Sequence, residues 1–210
     1  MSKEEALGLP FYDRSSVTVA KDLIGKTLVR KLESGEELSG IIVEVEAYGG
    51  SRDPASHAFR GMTKRNKAMF GNPGHAYVYF TYGFYYCLNF VTNPGGVGAT
   101  AVLIRALEPK SGLEYMMEKR KTTVPSELAS GPGKLCQALS IDKRLNGVPI
   151  TTSEDPIFVL HSNENKKYTV KASARIGIRT AMGRKWRFYA AGNSFLSRTV
   201  PPRIVSQKET

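Results

Sequence analysis

Glu44, Glu46 and Tyr48 alternate with Val43, Val45 and Ala47. In a strand, that spacing puts the polar three on one face and the apolar three on the other. A carboxylate pair beside an aromatic ring can polarise a water molecule or steady a developing positive charge. The same alternation also describes the solvated side of an edge strand. Tyr77, Tyr79, Phe80, Tyr82, Phe84, Tyr85, Tyr86 and Phe90 crowd into residues 77–90. A core strand rarely needs so many hydroxyls, because each buried one must find a partner. Flat aromatic faces in a basic protein suit nucleobases on a phosphate backbone. A tyrosine-rich sheet edge with its hydroxyls in water is the plainer alternative. Arg105 is the one charge in the apolar run 99–107. It needs an acceptor for its fork, or an edge position from which it snorkels into water. His57, one of three histidines, lies in a Gly-rich loop, where a histidine is most often simply solvated. Lys134 follows Gly131 and Gly133, which reads either as a phosphate-binding helix start or as an ordinary one.

The elements that must position these groups follow from pattern. A short helix is expected over 17–24, capped by Ser15 or Ser16 and stopped by Gly25. Strands at 26–32 and 38–48 flank a turn at 34–37, so the sheet is at least partly antiparallel. Residues 49–63 form a loop long enough to be functional. A basic helix at 63–70, capped by Thr63, leads through a Gly/Pro turn into an aromatic hairpin with Gly83 at its tip. A strand over 99–107 ends at Glu108-Pro109. Helices follow at 111–121 and 134–139, then strands at 157–160, 168–172 and 186–189. No repeat, low-complexity tract or linker interrupts the chain, so one domain over 1–210 is expected, loose at 1–10 and 201–210.

Composition narrows the partners. The chain has 210 residues, with Lys+Arg 30 against Asp+Glu 19, a net charge of +11. That balance favours a polyanion, nucleic acid first and an anionic membrane surface second. No apolar run is long enough to span a bilayer, and the start has no secretory apolar core. Cys87 and Cys136 lie far apart, in no metal spacing. They read as buried free thiols of an intracellular protein, with no metal site and no cofactor.

In order along the chain stand Val43-Glu44-Val45-Glu46-Ala47-Tyr48, Ala55-Ser56-His57, Thr63-Lys64-Arg65-Asn66 and Met69-Phe70-Gly71-Asn72-Pro73-Gly74. The hairpin, Leu103-Ile104-Arg105-Ala106-Leu107-Glu108-Pro109, Ser130-Gly131-Pro132-Gly133-Lys134-Leu135-Cys136, Arg175-Ile176-Gly177-Ile178 and Trp186-Arg187-Phe188-Tyr189 follow. With these motifs the chain resembles the alkyladenine (3-methyladenine/hypoxanthine) DNA glycosylase family of the mammalian type, over roughly 15–198. The resemblance implies an α+β fold: a single mixed domain with a curved antiparallel β-sheet core, surrounding helices and a protruding β-hairpin. It implies a monofunctional base-excision repair enzyme that flips alkylated or deaminated purines out of duplex DNA and hydrolyses the N-glycosidic bond. It makes Glu46 the water-activating carboxylate and Arg105 its basic neighbour. It makes Tyr48, His57, Tyr79, Asn89 and Ile178 the base pocket, with Tyr82 wedged into the duplex. Lys64, Arg65 and Lys134 are expected on the DNA backbone. A cationic alkylated base would gain cation–π attraction between the two tyrosines. The implied partner is double-stranded DNA containing damaged purines, bound by a monomer. Glu44 has no role beyond tuning its neighbour's charge. Phe84, Thr81 and the 179–184 segment depart from the family pattern. Two rival readings remain at this stage. A non-catalytic DNA- or RNA-binding module explains the hairpin and the charge. A carbohydrate hydrolase explains the carboxylate pair but not the charge.

Overall fold

The computed structural model describes residues 5–96, 98–161 and 168–197. Eight antiparallel strands form one sheet, curled into a half-barrel. They are β1 (Thr27–Lys31), β2 (Glu37–Tyr48), β3 (Ala76–Thr81), β4 (Tyr85–Val91), β5 (Ala101–Ser111), β6 (Ile157–Leu160), β7 (Val170–Ser173) and β8 (Arg187–Ala190). The main path runs β3-β4-β5-β2-β1-β6, and β8 joins β2 to β7. Among the described residues, five α-helices surround it: α1 (Leu9–Tyr12), α2 (Ser16–Leu23), α3 (Leu113–Arg120), α4 (Pro125–Leu128) and α5 (Pro132–Ala138). This is an α+β domain.

The organising strand is β2. One edge pairs with β5 along its length; the other pairs first with β1, at residues 37–41, and then with β8, at 44–46. Register shifts against β5 fall on both sides of Glu44, where an extra residue twists a strand and re-aims its side chains. With neighbours on both edges and packing on both faces, residues 40–47 are all buried. The edge-strand alternatives for β2 and for Arg105 therefore do not hold. Leu28, Ile42, Val45, Leu88, Phe90, Ile104 and Leu107 pack with α2, α3 and α5 residues in the main core.

Several local expectations are corrected. Strand β5 runs through Glu108-Pro109 to Ser111, because β4 covers only its first residues and leaves Pro109 an edge where no amide donor is needed. Residues 67–70 form only a single 3-10 turn, and Thr63 does not cap a helix. Instead buried Asn66 clasps the loop, accepting from Thr63 N at 2.6 Å and donating to His57 O and Gly61 O at 2.8 and 3.0 Å. Residues 6–10 are not loose. Leu7 is fully buried and donates its amide to Val159 O, and Pro10 lies in α1. The tail at 201–210 lies outside the described residues. Ser15 is the cap of α2, accepting from Thr18 N at 3.2 Å. Strands β7 and β8 start one or two residues later than the pattern predicts.

Candidate active site

Where β2 passes between β5 and β8, three long-range partners meet its polar face. Glu44 is fully buried and accepts from Arg105 Nε (2.7 Å), Arg187 Nε (2.8 Å), Ser197 N (2.7 Å) and Ser197 Oγ (2.7 Å). Desolvation pushes its carboxyl up, but the Arg187 hydrogen bond and the Arg105 charge outweigh that and hold its pKa below the ordinary value. Glu44 therefore anchors two arginines through Oε1, and Ser197 holds both of its oxygens. Sequence reasoning underrated it, although an arginine in an apolar strand demands such an acceptor.

Glu46, two residues on, is equally buried and differently engaged. Its Oε1 accepts from Ile176 N at 2.7 Å and faces Arg105 Nη1 at 3.2 Å; its Oε2 accepts from the Tyr48 hydroxyl at 2.8 Å. Arg105 thus spans both carboxylates, and Ser197 Oγ takes its remaining nitrogen at 3.3 Å. Tyr48's pKa is raised well above its ordinary value, by desolvation first and by the Glu46 charge second, so the phenol stays a donor at neutral pH.

A cavity of about 230 Å³ opens in front of this network. Tyr48, His57, Tyr77, Tyr79, Asn89 and Ile178 line it, as do Tyr82, Arg105, Pro132 and Ile176 among others. Its size sits below the ~300–1,000 Å³ of drug-sized ligand sites, which suits one flat base rather than an oligosaccharide. Glu46 does not itself line the cavity. It lies directly behind Tyr48, Ile176 and Arg105, which do.

The walls are pinned from several elements. Asn89 on β4 donates Nδ2 to Tyr77 O on β3 at 3.0 Å. His57 Nδ1 shares a hydrogen with the Tyr77 hydroxyl at 2.9 Å, and its ring stands edge-on to Tyr79 with centroids 4.5 Å apart. The residue is exposed, yet desolvation first and the Arg65 charge second lower its pKa, which keeps it neutral near pH 7. Beyond the cavity, the hairpin turns through Tyr82 (φ 52°) and Gly83 (φ 72°), both left-handed as such turns require. The tip holds Tyr82 and Phe84 about as exposed as side chains can be, at 81% and 80%. Lys64 is exposed beside the loop, and Lys134 is half-buried in α5 near Pro132. Arg65 lies over the Tyr79 ring, at 5.2 Å from its centroid, and donates to Phe80 O.

A further group escaped the sequence. Asp53 is fully buried and accepts from Gly49 N and Ala55 N as well as from both Nη atoms of Arg175. Arg175 also donates to Ala47 O at 2.9 Å. This ties the 49–57 loop to the segment that supplies Ile176 and Ile178. Asp53 and Arg175 are 122 residues apart, and neither stands in a pattern that announces the pair.

An aromatic-lined cavity backed by a buried carboxylate thus sits beside an exposed aromatic hairpin on a protein of net charge +11. The profile of the methylpurine-DNA glycosylase family matches residues 10–194. A protein of Methanocella arvoryzae is 49% identical over 92% of this chain and 96% of its own. One of Carboxydothermus hydrogenoformans is 47% identical over 90% and 96%, and one of Chlorobaculum tepidum 43% identical over 93% and 92%. Each is provisionally named a 3-methyladenine DNA glycosylase. The chain belongs to the methylpurine-DNA glycosylase family, and it is a DNA repair enzyme acting on DNA. Among the described residues, no helix is long and apolar enough to cross a membrane.

Proposed function

We propose that this enzyme rotates an alkylated or deaminated purine out of duplex DNA into the cavity between Tyr48 and Tyr79. A water activated by Glu46 then attacks the sugar carbon, in one step. The hydrogen bond from Tyr48 to Glu46 carries this reading, because it joins a wall of the cavity to the buried carboxylate behind it. An ionised carboxylate offers about four acceptor sites. Ile176 N, Arg105 and the Tyr48 hydroxyl use three. The remaining one, on Oε2, is where the water binds as the base enters.

The chemistry follows from charge. Departure of the base leaves an oxocarbenium-like sugar, which a carboxylate stabilises while it takes the proton of the water. The new bond forms between the water oxygen and the sugar carbon; the carbon–nitrogen bond breaks and its electron pair leaves with the base. An alkylated purine is cationic beforehand and departs neutral, so it needs little acid help. Arg105 sets its positive charge against Glu46 Oε1 at 3.2 Å. His57 closes the stack, Asn89 obstructs the exocyclic amine of guanine, and Ile178 forms the far wall. Tyr82 fills the gap that the base vacates. Lys64, Arg65 and Lys134 meet phosphates, and one monomer, a single domain over 1–210, does the work.

Glu46→Gln is the test. Release of hypoxanthine or 3-methyladenine from a lesion duplex should vanish while binding of that duplex survives. Full activity in the variant would remove Glu46 from the mechanism.

A further inference from the structure

The two tyrosines that flank the cavity each carry an arginine. Arg175 Cζ lies 4.7 Å from the Tyr48 ring centroid, and Arg65 Cζ lies 5.2 Å from that of Tyr79. Both tyrosines line the cavity, and neither arginine does. Each guanidinium therefore meets its ring from outside. Arg175 belongs to a longer column: Trp186 lies 5.3 Å from it, and Arg184 sits 4.5 Å from the same indole. Asp53 neutralises Arg175 through two hydrogen bonds. Arg65 has only the Phe80 carbonyl, and no carboxylate pairs with it among the described residues.

This arrangement changes what the pocket can select. A tyrosine attracts a cation through the negative face of its ring. A guanidinium on the outer face satisfies part of that attraction and draws electron density away from the inner one. A positively charged base on the inner face then meets a like charge one ring away. An uncharged purine stacks without that penalty. The simple expectation that two bare tyrosines favour cationic lesions neglects both arginines.

We propose that Arg65 and Arg175 set the selectivity of this pocket. Their guanidinium caps offset the pull of Tyr48 and Tyr79 on a cationic base and admit uncharged purines, of which hypoxanthine is one, on comparable terms. Arg65 is the stronger lever, because Asp53 cancels much of the Arg175 charge. The inference rests on the base pocket proposed above.

The test compares base release from two duplexes that differ only in the lesion, 3-methyladenine (cationic, with no guanine-type N1 proton to lose) or hypoxanthine (uncharged). It runs at pH 8, above the ordinary histidine range near 6.5, so that removing Arg65 does not also ionise His57. Arg65→Gln should raise the ratio of kcat/KM for 3-methyladenine over hypoxanthine by about three-fold. The paired change Asp53→Asn with Arg175→Gln, which swaps an ion pair for two amides, should raise it by less. If that buried pair does not fold, the exposed Arg65 variant decides alone. A ratio that stays put or falls in Arg65→Gln overturns the proposal. Mere loss of phosphate attraction lowers both rates together, leaves the ratio unmoved, and so counts against it. A wild-type protein that frees neither base is a different result: it removes the base pocket itself, and the selectivity argument with it.

Discussion

The Tyr48 hydroxyl donates to Glu46 Oε2 at 2.8 Å. The ring that walls the cavity and the carboxylate behind it are thus one unit, two residues apart on β2 and on the same face of it. Tyr48→Phe keeps the ring and removes only that bond. A hydrogen bond to a charged group is worth about 1.5–3 kcal/mol. The expected result is a kcat lower by about ten- to a hundred-fold with lesion affinity close to wild type. Single-turnover rates and a binding titration on one duplex separate the two.

Glu44 predicts a loss of a different kind. It holds Arg105 and Arg187 at 2.7 and 2.8 Å in a fully buried site. Removing one partner of a buried ion pair strands the other and costs about 3–5 kcal/mol. Glu44→Ala should lower the unfolding free energy by that order, read from denaturant melts. Glu46→Gln keeps the size and most hydrogen bonds of its side chain and should lower it much less.

Acid should expose the Asp53 site. Desolvation raises the pKa of this carboxyl, but the Arg175 hydrogen bonds and the Gly49 amide outweigh that, and the net shift is downward. The folded-state pKa therefore lies below the unfolded value of about 3.9. Below that value the unfolded chain binds more protons, so stability falls as pH falls. The contribution is complete above about pH 4 and is lost as pH drops through the folded-state pKa. Thermal melts from pH 7 to pH 2.5 should show a steeper acid decline for wild type than for Asp53→Asn.

The hairpin tip can be tested apart from the fold. Tyr82 is 81% exposed, so Tyr82→Ser should move stability by no more than about 0.5 kcal/mol. Base–aromatic stacking is worth about 1–3 kcal/mol. Activity on duplex lesions should fall by about five-fold or more. Activity on the same lesion in a single strand, where no helix has to be opened, should fall less.

Gly50 offers a purely steric prediction. Its φ is 63°, and an added Cβ would lie 1.4 Å from Gly98 O. No side-chain motion relieves a clash with backbone. Gly50→Ala should destabilise the protein by at least the ~1–3 kcal/mol typical of overpacking. It should also weaken lesion binding, because the same loop carries Asp53 and His57. Melts and duplex titrations report each effect.

How much of this was readable in the chain depends on distance along it. The hairpin was legible, since its aromatic run and Gly83 are local; Thr81 does pair with Tyr85 and Tyr77 with Asn89. The alternation at 43–48 correctly placed Glu44 and Glu46 where one arginine reaches both. Their burial was not legible. It arises because β8 arrives from 143 residues away to cover the second half of β2, and a half-buried strand and a fully buried one share the same local pattern. The Asn66 clasp was missed for another reason: its bonds go to loop carbonyls, which have no periodicity to detect. The place of Arg65 over the Tyr79 ring was not legible either, because nothing local in the basic run Lys64-Arg65 pairs it with a ring fourteen residues on.

Trp186 is the only tryptophan of the chain, and it stands between Arg175 and Arg184 in the column behind Tyr48. The enzyme thus carries a single indole, which can be excited apart from its ten tyrosines, next to two guanidinium charges in the column behind Tyr48. Tyr48 forms the inner end of that column and lines the cavity. If a base enters the proposed pocket, stopped-flow indole emission of unlabelled protein mixed with lesion duplex should report its entry without a dye or a modified nucleotide.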